Sequence, residues 1–187
     1  PVITSSATFS AAENQTAIGT VAASDVDGDT ITYSILGSDI TINSSSGVIA
    51  FASAPDYETK TSYAATVTAS DGTNSTTQTI TVNVTNLDDN APSIPGYGTT
   101  TSNEFTVNEN QSTLGQINAT DLDGDTIYYS LVSTDAAPDS NLLSISSSGL
   151  ITFKTTPDYE NPADADSNNR YSFYVCISSS DNSGNST

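Results

Sequence analysis

The sequence predicts an all-β protein of two tandem seven-stranded Greek-key sandwiches, the second lacking its last strand. Three observations carry this. The chain contains an internal repeat of domain size, its apolar residues alternate with polar ones at period two, and turn residues recur at roughly the 8–12-residue spacing of short antiparallel strands.

The repeat is visible when Phe9-Ser10-Ala11-Ala12-Glu13-Asn14-Gln15 is set beside Phe105-Thr106-Val107-Asn108-Glu109-Asn110-Gln111, an offset of 96 residues. The same offset relates Asp25, Asp27, Gly28, Asp29 and Tyr33 to Asp121, Asp123, Gly124, Asp125 and Tyr129. It widens to 102 at Gly47 and Gly149, and at Pro55-Asp56-Tyr57-Glu58 and Pro157-Asp158-Tyr159-Glu160. The second copy therefore carries about six extra residues near 136–141, and about six more precede Tyr171, the counterpart of Tyr63. Because both insertions fall in polar stretches, they are expected to be surface loops. The division is residues 1–90 for the first repeat, a linker over 86–92, and 93–187 for the second.

In the first copy, strands are expected near 2–9, 16–23, 30–36, 39–43, 48–52, 62–69 and 75–85. The clearest are Thr30-Ile31-Thr32-Tyr33-Ser34-Ile35 and Thr79-Ile80-Thr81-Val82-Asn83-Val84, which alternate strictly. Seven such strands suit an immunoglobulin-like sandwich. In the second copy the matching strands fall near 103–108, 113–119, 126–132, 141–146, 150–154 and 170–178, and the seventh would begin where the sequence stops at Thr187. No segment repeats at 3.6 residues.

Composition removes several classes of function. Acidic residues number 22 against three basic ones, Lys60, Lys154 and Arg170, for a formal charge of −19. Nucleic acid is excluded as a partner, because affinity for phosphate requires basic side chains that displace counterions. No apolar run approaches the roughly 18 residues of a membrane span, and Pro1-Val2-Ile3 does not begin a signal peptide, so the sequence reads as a piece of something longer. Hydrophobic content is 35%, below the usual ~45–50%, so a staple would matter to such small cores. Cys176 is alone, which leaves metal as that staple. An enzyme is not expected. Histidine is absent, Cys176 sits in an apolar strand pattern that suits a buried structural thiol, and Asp56 and Glu58 stand two apart instead of flanking a cleft.

The acidic residues are clustered. One cluster is Glu13 or Glu109, at the end of the opening strand. Another is Asp25-Val26-Asp27-Gly28-Asp29 or Asp121-Leu122-Asp123-Gly124-Asp125, where the glycine permits a tight turn. A third is Asp56-Tyr57-Glu58 or Asp158-Tyr159-Glu160. If extended, it points both carboxylates one way and the tyrosine into the core or hinge. Between the copies lies Asn86-Leu87-Asp88-Asp89-Asn90-Ala91-Pro92. A flexible joint would use Gly and Ser, whereas this run of oxygen-bearing side chains closed by proline suits a segment ordered by a cation. Calcium, which takes six to eight oxygens at about 2.3–2.6 Å, is the ion such clusters serve. An EF-hand is excluded, since Gly28 comes too early and Leu36 stands where that loop needs a bidentate glutamate.

With these motifs the chain resembles the cadherin repeat family: Glu-Asn closing the first strand, the Asp-x-Asp loop, Asp56-Tyr57-Glu58, Ala69-Ser70-Asp71, and a linker similar to Asp-x-Asn-Asp-Asn-x-Pro. The shortened Asp-x-Asp-Gly-Asp loop and the scarcity of basic residues look more like a prokaryotic, bacterial-adhesin type than an animal one. The linker departs at Asn86, where Asp is usual, and at Asp88, where Asn is usual. The resemblance implies about three Ca²⁺ ions at the joint. Glu13, Asp56, Glu58, the Leu87 carbonyl and Asp89 would hold two, with Asp88, Asn90, Asp121, Asp123 and Asp181 around a third. It implies further half-sites at Asp25, Asp27 and Asp71 for a preceding repeat, and at Glu109, Asp158 and Glu160 for a following one.

The resemblance further implies an extracellular or cell-surface module that binds calcium, rigidifies tandem repeats and serves adhesion. Two alternatives stand beside it: a passive stiffened spacer of a large surface adhesin, and a carbohydrate-binding module of a secreted protein. Expected partners are neighbouring repeats and a homophilic protein or a surface glycan. For a glycan, Tyr97, Tyr128 and Tyr174 are the candidate stacking residues.

Overall fold

The structure, a computed structural model, describes residues 1–95 and 105–179. The chain divides into two compact units, Pro1–Leu87 and Asp88–Thr187. Among the described residues, no helix is long and apolar enough to cross a membrane.

In the first unit the strands are β1 (Val2–Ile3), β2 (Thr8–Ala12), β3 (Ala17–Thr20), β4 (Ala23–Ser24), β5 (Thr32–Leu36), β6 (Ile40–Ile42), β7 (Val48–Phe51), β8 (Ser62–Ser70) and β9 (Ser75–Thr85). Two expected strands are each broken in two. The stretch expected as 2–9 becomes β1, antiparallel to β4, and β2, parallel to β9, because the chain changes sheets between them. The Thr4 and Ser5 amides both turn onto the Ala22 carbonyl at that crossing. The stretch expected as 16–23 breaks at Val21, whose amide donates to Gly47 O instead of continuing the ladder.

One sheet runs β2-β9-β8-β5 and the other β3-β7-β6. Their inner faces meet in one core: Ile40, Ile49 and Phe51 from the second sheet against Ala65, Val67, Ile80, Val82 and Val84 from the first. Alternation along β9 buries Ile80, Val82 and Val84 and turns Ser75, Thr77, Thr79 and Asn83 outward, as its sequence requires. Burying that apolar set is the principal stabilising term for so polar a chain.

The second unit contains β10 (Thr113–Gln116), β11 (Tyr128–Val132), a 3-10 turn (Pro138–Leu142), β12 (Leu143–Ile145), β13 (Leu150–Phe153) and β14 (Tyr174–Ser178). Its sheets are ordered β10-β13-β12 and β11-β14. The strand expected near 103–108 is not formed over Phe105–Asn108, and residues 103 and 104 lie outside the described part. Phe105 is nevertheless placed, its ring 6.5 Å from that of Phe173 and tight over Gly115, as Phe9 lies over Gly19 in the first unit. The stretch after β14, where the sequence is expected to stop short of a seventh strand, lies outside the described residues.

The two insertions of the second unit are not separate surface loops. Asp139, buried in the 3-10 turn, accepts the Ala165 and Ser172 amides, each at 2.8 Å, so one insertion grips the other. Asp164, also buried, accepts the amides of Asn168 at 2.7 Å and Asn169 at 3.2 Å. Burial pushes the Asp164 carboxyl up, but the hydrogen bonds it receives outweigh this and hold it below the usual carboxylate range. Polar composition concealed these contacts because a buried carboxylate is stable only when amides satisfy it.

One arrangement repeats in both units. The Tyr33 hydroxyl accepts the Ala23 amide at 3.1 Å, and that of Tyr129 accepts the Ala119 amide at 3.0 Å. Against each tyrosine lies a left-handed glycine, Gly47 (φ 70°) or Gly149 (φ 83°), where a Cβ would collide with the carbonyl oxygen of Val21 or Ile117. Gly47→Ala should therefore cost more than about 2 kcal/mol, from both the collision and the left-handed backbone. Gly28→Ala, at φ 81° with open space around it, should cost only about 1 kcal/mol. Urea unfolding midpoints test this, and equal losses would show that the Gly47 turn relaxes freely.

Candidate metal centres

At one end of the first unit, Glu13 follows directly on β2. Its amide is held by Thr85 O, and the left-handed Asn14 (φ 61°) then donates to Pro55 O. These bonds aim the Glu13 side chain inward, where it is 2% exposed. Its Oε2 accepts the Tyr57 amide at 2.7 Å and its Oε1 the Leu87 amide at 2.8 Å. An ionised carboxylate has about four acceptor positions, so each oxygen retains a lone pair for a cation. Glu58 brings a carboxylate oxygen within 4.8 Å of one of Glu13.

Asp56 and Glu58 do not lie on an extended segment as expected. Residues 57–59 form a turn in which the Thr59 and Lys60 amides reach back to Asp56 O. The Asp56 side chain caps that turn, accepting the Thr59 amide at 3.1 Å and its hydroxyl at 3.0 Å. Aspartate competes well for a free amide three residues on, and this local bond overrides the extended reading. The Thr59 hydroxyl and amide hold the Asp56 carboxyl below its ordinary pKa. Tyr57 packs on the core as expected, but Tyr159 in the second unit is 68% exposed, against expectation. There the insertion follows, and Asn169 donates to the Tyr159 carbonyl.

Elsewhere in the first unit, Asp25 Oδ1 accepts the amides of Asp27 (2.9 Å) and Asp29 (3.4 Å), and Asp71 Oδ1 accepts those of Thr73 (2.7 Å) and Asn74 (2.6 Å). In each case the other oxygen, Oδ2, lies against the Pro1 nitrogen, at 3.1 and 3.8 Å. Two carboxylates thus converge on one point of the fold. The Asn74 and Thr73 amides hold the Asp71 carboxyl below its ordinary pKa.

In the second unit Asp123 gathers the linker. Its Oδ2 accepts the amides of Asn90 (2.7 Å) and Asp89 (3.2 Å), and its Oδ1 the Asn90 side-chain amide (3.3 Å). That same amide nitrogen donates to Asp89 Oδ1 at 2.6 Å. Ser93 and Thr120 exchange two backbone hydrogen bonds of 2.8 Å, which fixes the linker beside Asp121. The sequence carried no signal for that bridge. Asp121 Oδ1 accepts the Asp125 amide at 3.3 Å across the left-handed Gly124. Asp121 Oδ2 and Asp125 Oδ2 are buried and have no hydrogen-bond partner among the described residues. Asp88 opens this unit, and Asp181 lies outside the described residues. Glu109, Asp158 and Glu160 place carboxylate oxygens within 4.8 Å of one another.

These donors are all hard oxygens, with carboxylates dominant and an asparagine amide among them, and they fit calcium better than a softer metal. Cys176, expected to be buried, is only half-buried, on the outer side of β14 between the inward Val175 and Ile177.

Residues 7–85 match the family model of the Cadherin domain. The chain belongs to the cadherin repeat family. Mouse Protocadherin-15 is 36% identical over 139 residues, covering 69% of this chain and 7% of that protein. Chitinase A of Pseudoalteromonas piscicida is 35% identical over 109 residues, covering 58% of this chain and 13% of that protein. The chain thus spans only a small fraction of the curated relatives it matches. Among solved structures, the EC1-2 fragment of human Protocadherin-24 has a TM-score of 0.71 at 22% identity, with 94% of this chain and 84% of that one covered, a likeness of fold. Cadherin domains are in general calcium-binding adhesion modules and not enzymes.

The two cadherin repeats use their leading glutamates differently. Glu13 is buried and holds two amides, whereas Glu109 is exposed and holds one, that of Tyr159, at 3.3 Å. In calcium-free buffer, Glu13→Gln should cost about 1–3 kcal/mol, because one amide of the pair then faces an NH₂ group. Glu109→Gln should cost less than about 0.5 kcal/mol. Denaturant titration in EDTA distinguishes the two, and equal effects would mean that the buried bonds of Glu13 contribute nothing.

Proposed function

We propose that the joint between the two cadherin repeats is a calcium centre of about three ions, which rigidifies the pair within an extracellular adhesion protein. The observation that carries this is a pair of buried carboxylate oxygens, Asp121 Oδ2 and Asp125 Oδ2, that have no hydrogen-bond partner among the described residues. A buried acceptor left without a donor is costly, and a cation is the partner its charge calls for.

The anchoring of the linker supports the same reading. Leu87 is bonded to Glu13 in the first repeat, and Asp89 and Asn90 are bonded to Asp123 in the second, with only Asp88 between them in sequence. Glu13, Asp56, Glu58, the Leu87 carbonyl and Asp89 would hold two ions, and Asp88, Asn90, Asp121, Asp123 and Asp181 the third. Those side chains include eight carboxylates, so the ions answer a charge that would otherwise drive the joint apart. Calcium supplies only charge and coordination here, and the residues supply position.

Neighbouring repeats of a longer chain are then the first partners, and cell-surface adhesion is the biological role. The same stiffening would also serve a spacer within a large surface protein. In both cases the joint's work is stiffness.

At the affinities of extracellular modules, about 10⁻⁴–10⁻³ M, millimolar calcium should add about 1–2 kcal/mol per site. The melting temperature should therefore rise by several degrees. Asp89→Ala should remove most of that rise and Asp29→Ala little of it, as read by calorimetric melting with and without calcium. Equal responses would show that the ions sit elsewhere.

A further inference from the structure

The outer face of the β11–β14 strand pair in the second repeat has a composition that the fold does not require. In the register of this pair, Tyr128 faces Ser178, Ser130 faces Cys176, and Val132 faces Tyr174. The alternate residues Tyr129, Leu131, Val175 and Ile177 turn inward, so the six residues of the facing pairs form one outer surface. Tyr128 is 56% exposed and Tyr174 52%. The matching surface of the first repeat, on β5 and β8, pairs Thr32 with Ser70, Ser34 with Thr68, and Leu36 with Thr66. Two positions that are threonine in one repeat are tyrosine in the other, on the same strand pair. The tyrosines therefore serve something other than folding.

We propose that this face binds a neutral polysaccharide, with Tyr128 and Tyr174 as stacking platforms for its sugar rings. Four residues of strand separate the two register positions, so their attachment points lie about 13 Å apart along the strand, the length of a short oligosaccharide. The small Ser130 and Cys176 between them leave a shallow floor on which a chain can lie. A tyrosine face carries negative quadrupole density, which attracts the partly positive C–H groups on the flat side of a pyranose, and the phenol hydroxyl reaches sugar hydroxyls at its rim.

Charge selects among occupants. None of the six outward residues is charged, in a chain of formal charge −19. An anionic polymer would be repelled, and so would a second copy of this chain carrying the same −19. A basic peptide would find no carboxylate on the face itself. An uncharged polyhydroxylated chain meets none of these penalties. The face shares no residue with the calcium centre proposed above, so the two readings stand or fall separately.

The test uses the whole chain and neutral hexasaccharides of glucose, N-acetylglucosamine and mannose, with hyaluronan as the anionic probe. Binding is followed by calorimetry and tyrosine fluorescence, in calcium and again in EDTA. At least one neutral hexasaccharide should bind in both buffers, and hyaluronan should not. Tyr128→Ala and Tyr174→Ala should each weaken binding by roughly tenfold, and together abolish it. Melting temperatures of these variants check that the fold is kept. Thr32→Tyr with Thr66→Tyr provides an independent arm, and should create a second site on the first repeat. The proposal is overturned by no binding at about 10 mM of any neutral hexasaccharide, by binding that both alanine variants leave intact, or by binding seen only with calcium. A concentration-dependent dimer that the alanine variants dissolve would overturn it in favour of a contact between copies.

Discussion

The interaction on which this structure most depends is a carboxylate accepting backbone amides. Glu13 holds Tyr57 and Leu87 in this way, Asp123 holds Asp89 and Asn90, Asp25 holds Asp27 and Asp29, Asp71 holds Thr73 and Asn74, and Asp139 and Asp164 hold the insertions. Each of these loop ends is tied down by an anion. The bond is strong because the acceptor is charged, and it places negative charge wherever the chain must turn. A protein folded by such a device accumulates carboxylates at its ends. Cations are the natural complement to that accumulation, and the calcium reading follows from the same physics that closes the loops.

The sheets supply rigidity with few apolar residues. Their inner faces are aliphatic and aromatic, as in Ile49, Val67, Ile80 and Val82, while the outer faces of β8 and β9 carry threonine and serine. That economy suits a repeat whose faces meet solvent on both sides. It also makes the two outward tyrosines of the second repeat conspicuous, since the first repeat builds the same strand pair with threonines.

Much of this was legible in the sequence because alternation and the 96-residue offset are local or pairwise patterns. β5, β8 and β9 fall where period two puts them, and Glu13, Asp123 and the linker asparagine and aspartates stand out through their clustering at repeated positions and the family resemblance. Long-range geometry was not legible. The first strand splits because β1 and β2 belong to different sheets, and only the partners β4 and β9 decide that. The Asp56 turn departs from the extended reading because a side-chain cap competes with extension on equal local terms. The insertions looked like loops because a buried carboxylate and a solvated one have the same letter. In the second repeat, Tyr159 departs from Tyr57 because the insertion that follows it changes its surroundings.

Small-angle scattering of the two-repeat chain in EDTA and in millimolar calcium is the most direct test that the carboxylate-rich joint is completed by ions. The account predicts a longer maximum dimension and a less flexible profile when calcium is added, with Asp123→Asn weakening the change. Superimposable profiles in the two buffers, at calcium concentrations where titration detects binding, would contradict it.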